Sequence, residues 1–317
     1  MTKKSIFLTG GRGMVGKNIL EHPAAAQYNI IAPCSKELDL TDFAATQRFM
    51  NSINPDVVIH AAGRVGGIQA NMAHPVDFLV TNIDLGRNVI MSARQTGVAR
   101  LINLASSCMY PRNLSNPLTE KLILQGELEP TNEGYAISKI FATRLCEYIN
   151  RENQKEGKSV TQYKTLIPCN LFGRHDKFEP QHSHLIPAII HKLHVAKVKK
   201  LKEVEIWGDG MARREFMYAG DLADSILCAL EDFDQIPNLM NIGLGRDYSI
   251  NDYYTVAAQV IGWQGKFVYD ITKPIGTKQK LVDISHQRAW GWMPTTELRK
   301  GIEKAYQYYL TEQKLME

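Results

Sequence analysis

The sequence predicts an α/β fold in which a doubly wound parallel sheet is joined to a smaller, mixed α/β part on its C-terminal side. Two observations support this class. Short stretches rich in β-branched residues alternate with amphipathic stretches through residues 1–170, and a glycine-rich turn directly follows the first of them. Because parallel strands need crossover helices, such alternation is typical of a sheet covered on both faces.

The order of the elements follows from these patterns. We predict strands at residues 5–9, 29–32, 56–60, 100–105 and 163–168, and helices at 14–20, 43–52, 75–96 and 135–150. Beyond residue 170 we predict a strand at 204–207 and helices at 184–198, from near Asp221 and at 296–311. We expect residues 1–170 to bind a cofactor and residues 171–317 to bind a substrate at the carboxyl edge of the sheet, and we leave open a return of the chain to the first domain.

The composition argues against several classes of protein. The apolar stretches 56–62 and 185–190 are far shorter than the roughly 20 residues that cross a bilayer, so we expect no membrane span. The five cysteines are odd in number and form no CxxC pair, which favours a reducing cytoplasm over a disulfide framework or a zinc site. The net charge of +4 includes one dense basic run at 192–202, which we interpret as a solvated face and not as a nucleic-acid site.

The glycine-rich turn predicts a dinucleotide site. Residues 10–16 read GGRGMVG between a strand and a helix, which gives a tight turn, close approach to a pyrophosphate and a helix N-terminus that faces it. The alternative to dinucleotide binding is a tight turn with only a structural role. The predicted contacts are Gly10, Arg12, Gly13, Met14, Val15 and Gly16.

The end of the second strand predicts NADPH as the cofactor. NAD sites place an acid there for the ribose, but this strand has none before Glu37. Arg12 and Lys36 can instead hold a 2′-phosphate, unless they point into solvent. The remaining predicted contacts are two residues near the adenine and two that let the backbone pass close to the cofactor: Asp39, Leu40, Ala61 and Ala62.

A tyrosine and a lysine four residues apart predict the catalytic group. Tyr135 and Lys139 share one face of a helix, where the ammonium would lower the pKa of the phenol toward working pH. Tyr135 can then protonate a carbonyl that receives hydride, while Lys139 also holds the nicotinamide ribose. Ser106 is the expected carbonyl-orienting hydroxyl, with Ser107 beside it. A chance surface pair is the alternative reading of the two helical residues.

Eight segments together carry a resemblance to a known family. They are residues 11–16 (GRGMVG), 65–68 (VGGI), 106–111 (SSCMYP), 129–133 (EPTNE), 135–139 (YAISK), 170–173 (NLFG), 184–187 (HLIP) and 214–216 (REF). The chain resembles the extended short-chain dehydrogenase/reductases, which have a Rossmann-type fold, and within them it is similar to the GDP-L-fucose synthase family. The resemblance implies epimerisation at C3 and C5 of GDP-4-keto-6-deoxy-mannose, then reduction at C4 with NADPH, by a homodimer that pairs the helices at 75–96 and 135–150.

The resemblance also implies roles for single residues. Cys108 and His184 match the family's acid/base pair, and His184 also lies beside the cofactor; a small buried cysteine is the alternative for Cys108. His182, His191 and His194 crowd the same region without a carboxylate or cysteine set, so we expect no metal. The implied substrate contacts are Ser107, Asn170, Lys192, Trp207, Arg214 and Lys280.

Three positions depart from the family pattern and keep other readings open. Lys192 and Gly134 stand where the family has arginine and proline, and Ser35 stands where it has an NADP-binding arginine. The chain can therefore act on a larger GDP-4-keto sugar, such as a heptose, with little or no epimerisation. A 4-epimerase that retains NAD and a non-enzymatic NADP-binding regulator are further alternatives, although a regulator has no need of a proton donor.

Overall fold

The structure is a computed structural model that describes residues 3–157, 161–179, 183–273 and 277–316. The strands in these ranges are β1 (Ser5–Thr9), β2 (Asn29–Ile31), β3 (Val57–His60), β4 (Arg100–Leu104), β5 (Gln162–Pro168), β6 (Asn170–Phe172), β7 (Glu203–Trp207), β8 (Arg213–Arg214), β9 (Phe216–Tyr218), β10 (Leu239–Ile242), β11 (Tyr248–Ser249), β12 (Lys266–Asp270) and β13 (Gln279–Lys280). The helices are α1 (Met14–Leu20), α2 (Phe43–Ile53), α3 (Ile68–Ala73), α4 (Pro75–Gln95), α5 (Glu133–Lys155), α6 (Leu185–Val198), α7 (Ala219–Glu231), α8 (Ile250–Ile261), α9 (Ser285–Trp290) and α10 (Leu298–Met316).

Six parallel strands form the central sheet, in the order β10-β5-β4-β3-β1-β2. Since β2 lies on one side of β1 and β3 on the other, the chain crosses over in opposite directions from that point. Such a switch point opens a crevice at the carboxyl ends of the strands. The glycine turn at the end of β1 and the segment after β3 meet there.

Alternation along the strands builds a core on each face of this sheet. In β1, Ile6 and Leu8 pack toward α1 and α7, whereas Phe7 packs toward α2, α4 and α5. All three are fully buried. At about 1.5–3 kcal/mol for each large apolar side chain buried, these two layers hold the sheet rigidly beneath the crevice.

A third core lies in the C-terminal part. It is formed by α6, α8 and α10 with β7, and Tyr253 and Tyr309 are buried within it. Three small sheets surround it, in the orders β11-β8-β13, β12-β7 and β6-β9. No helix in the described ranges combines the length and the apolar character that crossing a bilayer requires.

The elements agree with the predicted α/β class, with three differences. The helix expected at 135–150 extends over Glu133–Lys155, and His184 precedes α6 instead of lying within it. Helices α3, α8 and α9 and strands β10 and β12 were not predicted, nor were the strands of two or three residues beyond residue 169. In the structure, α7 packs beside α1, and β10 pairs with β5. The domain boundary at residue 170 stays a prediction.

Candidate active site

The glycine turn after β1 is shaped by close backbone approach. Gly10 has φ +73°, a conformation that favours glycine, and a Cβ there would lie 2.7 Å from the backbone nitrogen of Ala62. A Cβ on Gly16 would lie 2.2 Å from the Gly10 carbonyl oxygen. Gly13 donates its N–H to that oxygen at 2.9 Å and precedes α1 directly. The turn is thus a cradle whose walls, including Ala61 and Ala62, leave no room for side chains, as a bound pyrophosphate requires.

The far end of the cradle carries the residues expected near a 2′-phosphate. Arg12 and Lys36 are exposed, while Met14 and Val15 are half-buried in the first turn of α1. Glu37, which is not among the predicted cofactor contacts, accepts the Cys34 N–H at 2.6 Å. This hydrogen bond, with a smaller effect of the Arg12 charge, lowers the pKa of Glu37.

The two residues expected near the adenine have partners of their own. Asp39 accepts the N–H of Thr41 at 2.9 Å and its hydroxyl at 2.7 Å, which lowers the pKa of the carboxyl. The Leu40 carbonyl accepts a hydrogen bond from the Asn88 amide at 3.0 Å. These contacts fix the loop after β2, so Asp39 is an ordered carboxylate in an exposed loop.

Strand β4 and helix α5 bring the predicted catalytic residues together. Ser106 follows β4, and its Oγ accepts the Cys108 N–H at 3.3 Å at the start of the 3₁₀ turn Ser107–Met109. Tyr135 and Lys139 lie one helical turn apart at the start of α5, with Lys139 Nζ 5.7 Å from the tyrosine ring centroid. The Tyr135 and Ser106 side chains are hydrogen-bonded. Lys139 Nζ also donates to the Leu104 carbonyl at 2.9 Å, which ties α5 to the end of β4.

The prediction that Lys139 lowers the pKa of Tyr135 toward neutral pH is wrong for the residues of this chain. Burial raises the pKa of the Tyr135 phenol well above its ordinary value, and the hydrogen bond from Ser106 only partly opposes this. Burial also lowers the pKa of Lys139 to about 8. Spacing alone predicted a nearby ammonium, but desolvation of the phenolate is the larger effect. Tyr135 therefore holds its proton at neutral pH, as a donor must.

Cys108 and Lys280 lie beside this group. Cys108 is buried, and burial raises the pKa of its thiol, while the nearby Lys280 and Lys139 charges and a hydrogen bond with Ser106 oppose the rise. Lys280 pairs with Arg214 between β13 and β8. Burial lowers the pKa of both cations. Lys280 thus stands next to the catalytic thiol candidate, and its strand partner Arg214 comes from a distant segment of the chain.

His184 lies immediately before α6, beyond the loop that follows β3. That loop passes Lys139 at Gly63, where a Cβ would lie 3.8 Å from the lysine Nζ, and Ser183 at Gly67, where it would lie 3.2 Å from the Ser183 carbonyl oxygen. Burial lowers the pKa of His184, helped by Lys177, so its imidazole is neutral at pH 7. His182 lies outside the described residues.

The other predicted substrate residues lie farther out or serve local contacts. Lys192 Nζ donates to the Glu205 carbonyl at 2.5 Å, and Trp207 Nε1 donates to the Glu205 carboxylate at 3.0 Å. Trp207 is half exposed and can offer a flat surface to a base. Asn170 donates to the Glu215 carbonyl at 3.0 Å, and Ser107 is buried in the 3₁₀ turn.

Three polar residues near the site were missed by the sequence reading. Asn82 holds the loop after β3 through hydrogen bonds with both the N–H (2.8 Å) and the carbonyl (3.1 Å) of Arg64. His60, at the end of β3, hydrogen-bonds Thr9 at 2.9 Å, and burial, aided by Lys139, lowers its pKa to about 3. Glu215 is almost fully buried between β8 and β9. For Asn82 and His60 the sequence does hold signals: Asn82 lies on the inner face of α4, and His60 ends the wholly buried strand β3.

Within the described residues, histidine, cysteine and carboxylate side chains nowhere gather in the groups of three or more that could hold a metal ion.

Comparisons with known proteins agree with this geometry. The model of the NAD dependent epimerase/dehydratase family matches residues 6–243. The chain is 50% identical to the GDP-L-colitose synthase of Yersinia pseudotuberculosis, over 97% of this chain and 98% of that protein. It is 49% identical to the GDP-L-fucose synthase of Azorhizobium caulinodans, over 99% of each. Its fold is similar to that of a GDP-mannoheptose C4 reductase from Campylobacter jejuni with NADP bound, at a TM-score of 0.87 and 30% identity, over 98% of this chain and 99% of that chain. The chain belongs to the NAD dependent epimerase/dehydratase family, within its GDP-L-fucose synthase branch.

Proposed function

We propose that this protein reduces the C4 keto group of a GDP-linked 4-keto-6-deoxy sugar with NADPH, after epimerisation at C3 and C5. The observation that carries the proposal is the convergence of Ser106, Tyr135 and Lys139 beside the glycine cradle. This set can orient a carbonyl and protonate the alkoxide formed from it. The relatives named for GDP-L-fucose and GDP-L-colitose synthesis support the substrate class.

The reduction needs one hydride and one proton. NADPH bound in the cradle supplies the hydride. The Ser106 hydroxyl holds the keto oxygen, and Tyr135, kept protonated by burial, donates its proton to the oxygen that becomes the C4 hydroxyl. Lys139, still largely cationic below a pKa of about 8, stabilises the tyrosinate left behind until solvent returns the proton.

Epimerisation needs a proton removed from one face of a carbon and another returned to the opposite face. A 4-keto group acidifies the C–H bonds on both neighbouring carbons, which makes C3 and C5 the reactive positions. We assign this exchange to Cys108 and His184, since the neutral imidazole can accept a proton and the thiol can donate one.

The sugar nucleotide is held by the basic residues outside the catalytic group. Arg214 offers a planar fork to the diphosphate and Lys280 a point charge beside it. We place the base against Trp207, with Lys192 toward the sugar. Arg12 and Lys36 are assigned to the cofactor 2′-phosphate, and Asp39 and Leu40 to its adenine end.

Two observations favour related sugars as a second candidate. Solved structures with TM-scores of 0.87 and 0.90 to this chain are described as GDP-heptose reductases from Campylobacter jejuni. The relative at 50% identity is named for GDP-L-colitose and not for GDP-L-fucose. Lys192 replaces the arginine expected beside the sugar, so the sugar itself is what a substrate panel must identify.

The test supplies purified protein with NADPH and, separately, a GDP-4-keto-6-deoxyhexose, its 3-deoxy counterpart and a GDP-4-keto-heptose. Steady loss of NADPH absorbance with one of them supports a reductase, and solvent deuterium at C3 or C5 of the product supports epimerisation. Product formation without loss of NADPH would contradict the reductase and favour a 4-epimerase. Deuterium absent from both carbons would remove Cys108 and His184 from their assigned roles.

We also infer a homodimer in a reducing cytoplasm. Helices α4 and α5 lie side by side, and each presents an outward apolar stripe: Val76 (69% exposed) and Val80 (47%) on α4, Ile137 (41%) and Tyr148 (52%) on α5. Pairing these stripes across a two-fold axis would form a four-helix interface. The location rests on the five cysteines, all of them free. Sedimentation of the protein at micromolar concentration tests the dimer.

A further inference from the structure

Glu215 is a charged residue buried where the small sheets meet the central one. It stands between Arg214 at the end of β8 and Phe216 at the start of β9, and only 1% of its surface is exposed. Removing a carboxylate from water is costly unless hydrogen bonds replace the lost hydration. Such a residue is retained where its hydrogen bonds do something that an apolar side chain cannot.

Both oxygens of this carboxylate accept backbone hydrogen bonds from distant segments. Oε1 accepts the N–H of Leu244 at 2.7 Å and of Gly245 at 2.9 Å, just after β10. Oε2 accepts the N–H of Val282 at 2.9 Å, just after β13. Burial raises the pKa of Glu215 to about 7, and these three donors oppose the rise.

The backbone at Glu215 holds a fourth segment. Its carbonyl accepts the side-chain amide of Asn170 at 3.0 Å, at the start of β6. Packing around the carboxylate is tight, since a Cβ on Gly243 would lie 2.5 Å from Oε1 and 2.8 Å from the Val282 side chain. The carboxylate therefore has one position, set by the segment after β10 and the segment after β13.

The segments joined at Glu215 are those that carry the proposed sugar-nucleotide residues. Arg214 is its direct neighbour, Asn170 bonds to its carbonyl, and Lys280 lies two residues before Val282 and pairs with Arg214 between β13 and β8. None of these three residues is close to another in sequence. Their relative positions depend on whatever holds the three segments together.

We propose that Glu215 is a positioning residue for the sugar nucleotide: its carboxylate sets the spacing of Arg214 and Lys280, and its backbone carbonyl holds Asn170, without either group touching the ligand. The proposal rests on the function proposed above for the substrate side of the site. It predicts that loosening this junction weakens sugar-nucleotide binding and leaves the cofactor cradle, built on β1 and β3, unaffected. Loss of a fixed geometry between several binding groups costs affinity even when each group remains.

The test compares Glu215→Gln with Gly243→Ala. The first replaces one acceptor oxygen by an amide that cannot accept the Val282 N–H, and the second pushes the intact carboxylate aside. Each is expected to raise the KM for the keto-sugar substrate by roughly 10- to 100-fold, with kcat and the KM for NADPH within about threefold of the unmodified protein. The dissociation constant of GDP, measured by calorimetry, should rise in parallel.

Asp221→Asn is the matched control. Asp221 is also a buried carboxylate that joins distant segments, accepting the Thr296 hydroxyl at 2.8 Å and its N–H at 3.1 Å, and neither of these residues is a proposed sugar-nucleotide contact. It should lower the melting temperature and leave both KM values and GDP binding unchanged. If Glu215 had only a structural role, Glu215→Gln and Gly243→Ala would behave like Asp221→Asn, with a lower melting temperature and unchanged KM values and GDP binding.

The outcomes separate the two proposals. Equal loss of NADPH and sugar-nucleotide binding in Glu215→Gln and Gly243→Ala, or unchanged GDP binding in both, overturns the positioning role. Should Glu215→Gln fail to fold, Gly243→Ala decides the question alone. If the unmodified protein turns over no GDP-keto sugar, the proposed function fails, while GDP binding by the variants still tests Glu215.

Discussion

The central sheet and the three small sheets are held together in different ways. The central sheet has six parallel strands of three to seven residues, an apolar core on each face and a glycine turn in which Gly10 and Gly16 leave no room for a side chain. The small sheets have strands of two to five residues, and two carboxylates tie the segments around β11-β8-β13. One is the buried Glu215, and the other is Asp247, which accepts Arg213 at 2.8 Å and Gln279 at 2.6 Å. Apolar packing thus fixes the cofactor side, whereas these two carboxylates, the polar clamps, join the strands that carry the substrate residues.

The variant with the largest expected effect tests whether residues at the edge of the central sheet carry out the whole reaction. Tyr135→Phe removes the proton donor at the start of α5, so kcat should fall by roughly 10²- to 10⁴-fold, with little change in KM or melting temperature. Tyr306→Phe on α10 is the control, because its hydroxyl hydrogen-bonds His194, which has no proposed role in the site. Turnover by Tyr135→Phe at the normal rate would mean that another group protonates the sugar.

The next effect tests the packing of the cradle. In Gly16→Ala the new methyl would lie 2.2 Å from the Gly10 carbonyl oxygen, against backbone that cannot move aside cheaply. We expect about 1–3 kcal/mol of lost unfolding free energy, measured by urea denaturation, and weaker NADPH binding.

Gly13→Ala sharpens that result. Its Cβ has only one close neighbour, the Gly10 carbonyl oxygen at 3.3 Å, so stability should change little while NADPH binding weakens. Equal stability of the two variants would show that the glycines serve the ligand alone.

A smaller effect probes the substrate side. Arg214→Lys keeps the charge but loses the planar fork, so the KM for the sugar nucleotide should rise about tenfold, or about 1.4 kcal/mol, at constant kcat. Arg299→Lys on α10 is the matched control and should change neither constant. A fall in kcat instead would place Arg214 in the chemical step.

The smallest effect concerns pH, where the two regions should respond with opposite sign. His60 has its pKa lowered to about 3 from an ordinary 6.5, so its contribution to stability is present above pH 6.5 and is lost as the pH falls toward 3, by at most about 1.4 kcal/mol per unit. Glu215 has its pKa raised to about 7 from 4.5, so its contribution is full below pH 4.5 and is lost as the pH rises through 7.

Denaturation of the unmodified protein and of His60→Gln at pH 5.5 and 6.5 checks the first of these signs. The variant should lose less stability on acidification than the unmodified protein does. Parallel losses would show that His60 takes up no fewer protons in the folded state than in the unfolded one.

The same difference explains what could be predicted from the sequence. Strands and helices of the first half repeat apolar residues at short, regular intervals, and a glycine turn can be recognised from seven residues. The bounds predicted for β1 and α1 therefore match the structure, whereas the catalytic helix is longer than predicted. Strand β10 has four residues and no flanking signal. Helix α8 does have a flanking signal, the capping box of Ser249 and Asp252, although the helix was not predicted from it.

The polar clamps could not be predicted from the sequence, for a physical reason. The donors to Glu215 stand 29, 30 and 67 residues away along the chain, so no local pattern records them. The raised pKa of Tyr135 depends in the same way on how much protein covers it. The spacing of residues in the sequence predicts which groups are neighbours, whereas burial determines the charge state of each group.

The position of β10 bears on how the chain is made. On the ribosome, residues 3–168 can emerge and begin to collapse, but the sheet's last strand is Leu239–Ile242, whose Met240, Asn241 and Ile242 are fully buried. Until that strand arrives, β5 presents a bare row of peptide groups, the usual starting point for aggregation. A fragment cut after the fifth strand would therefore be a poor candidate for separate expression.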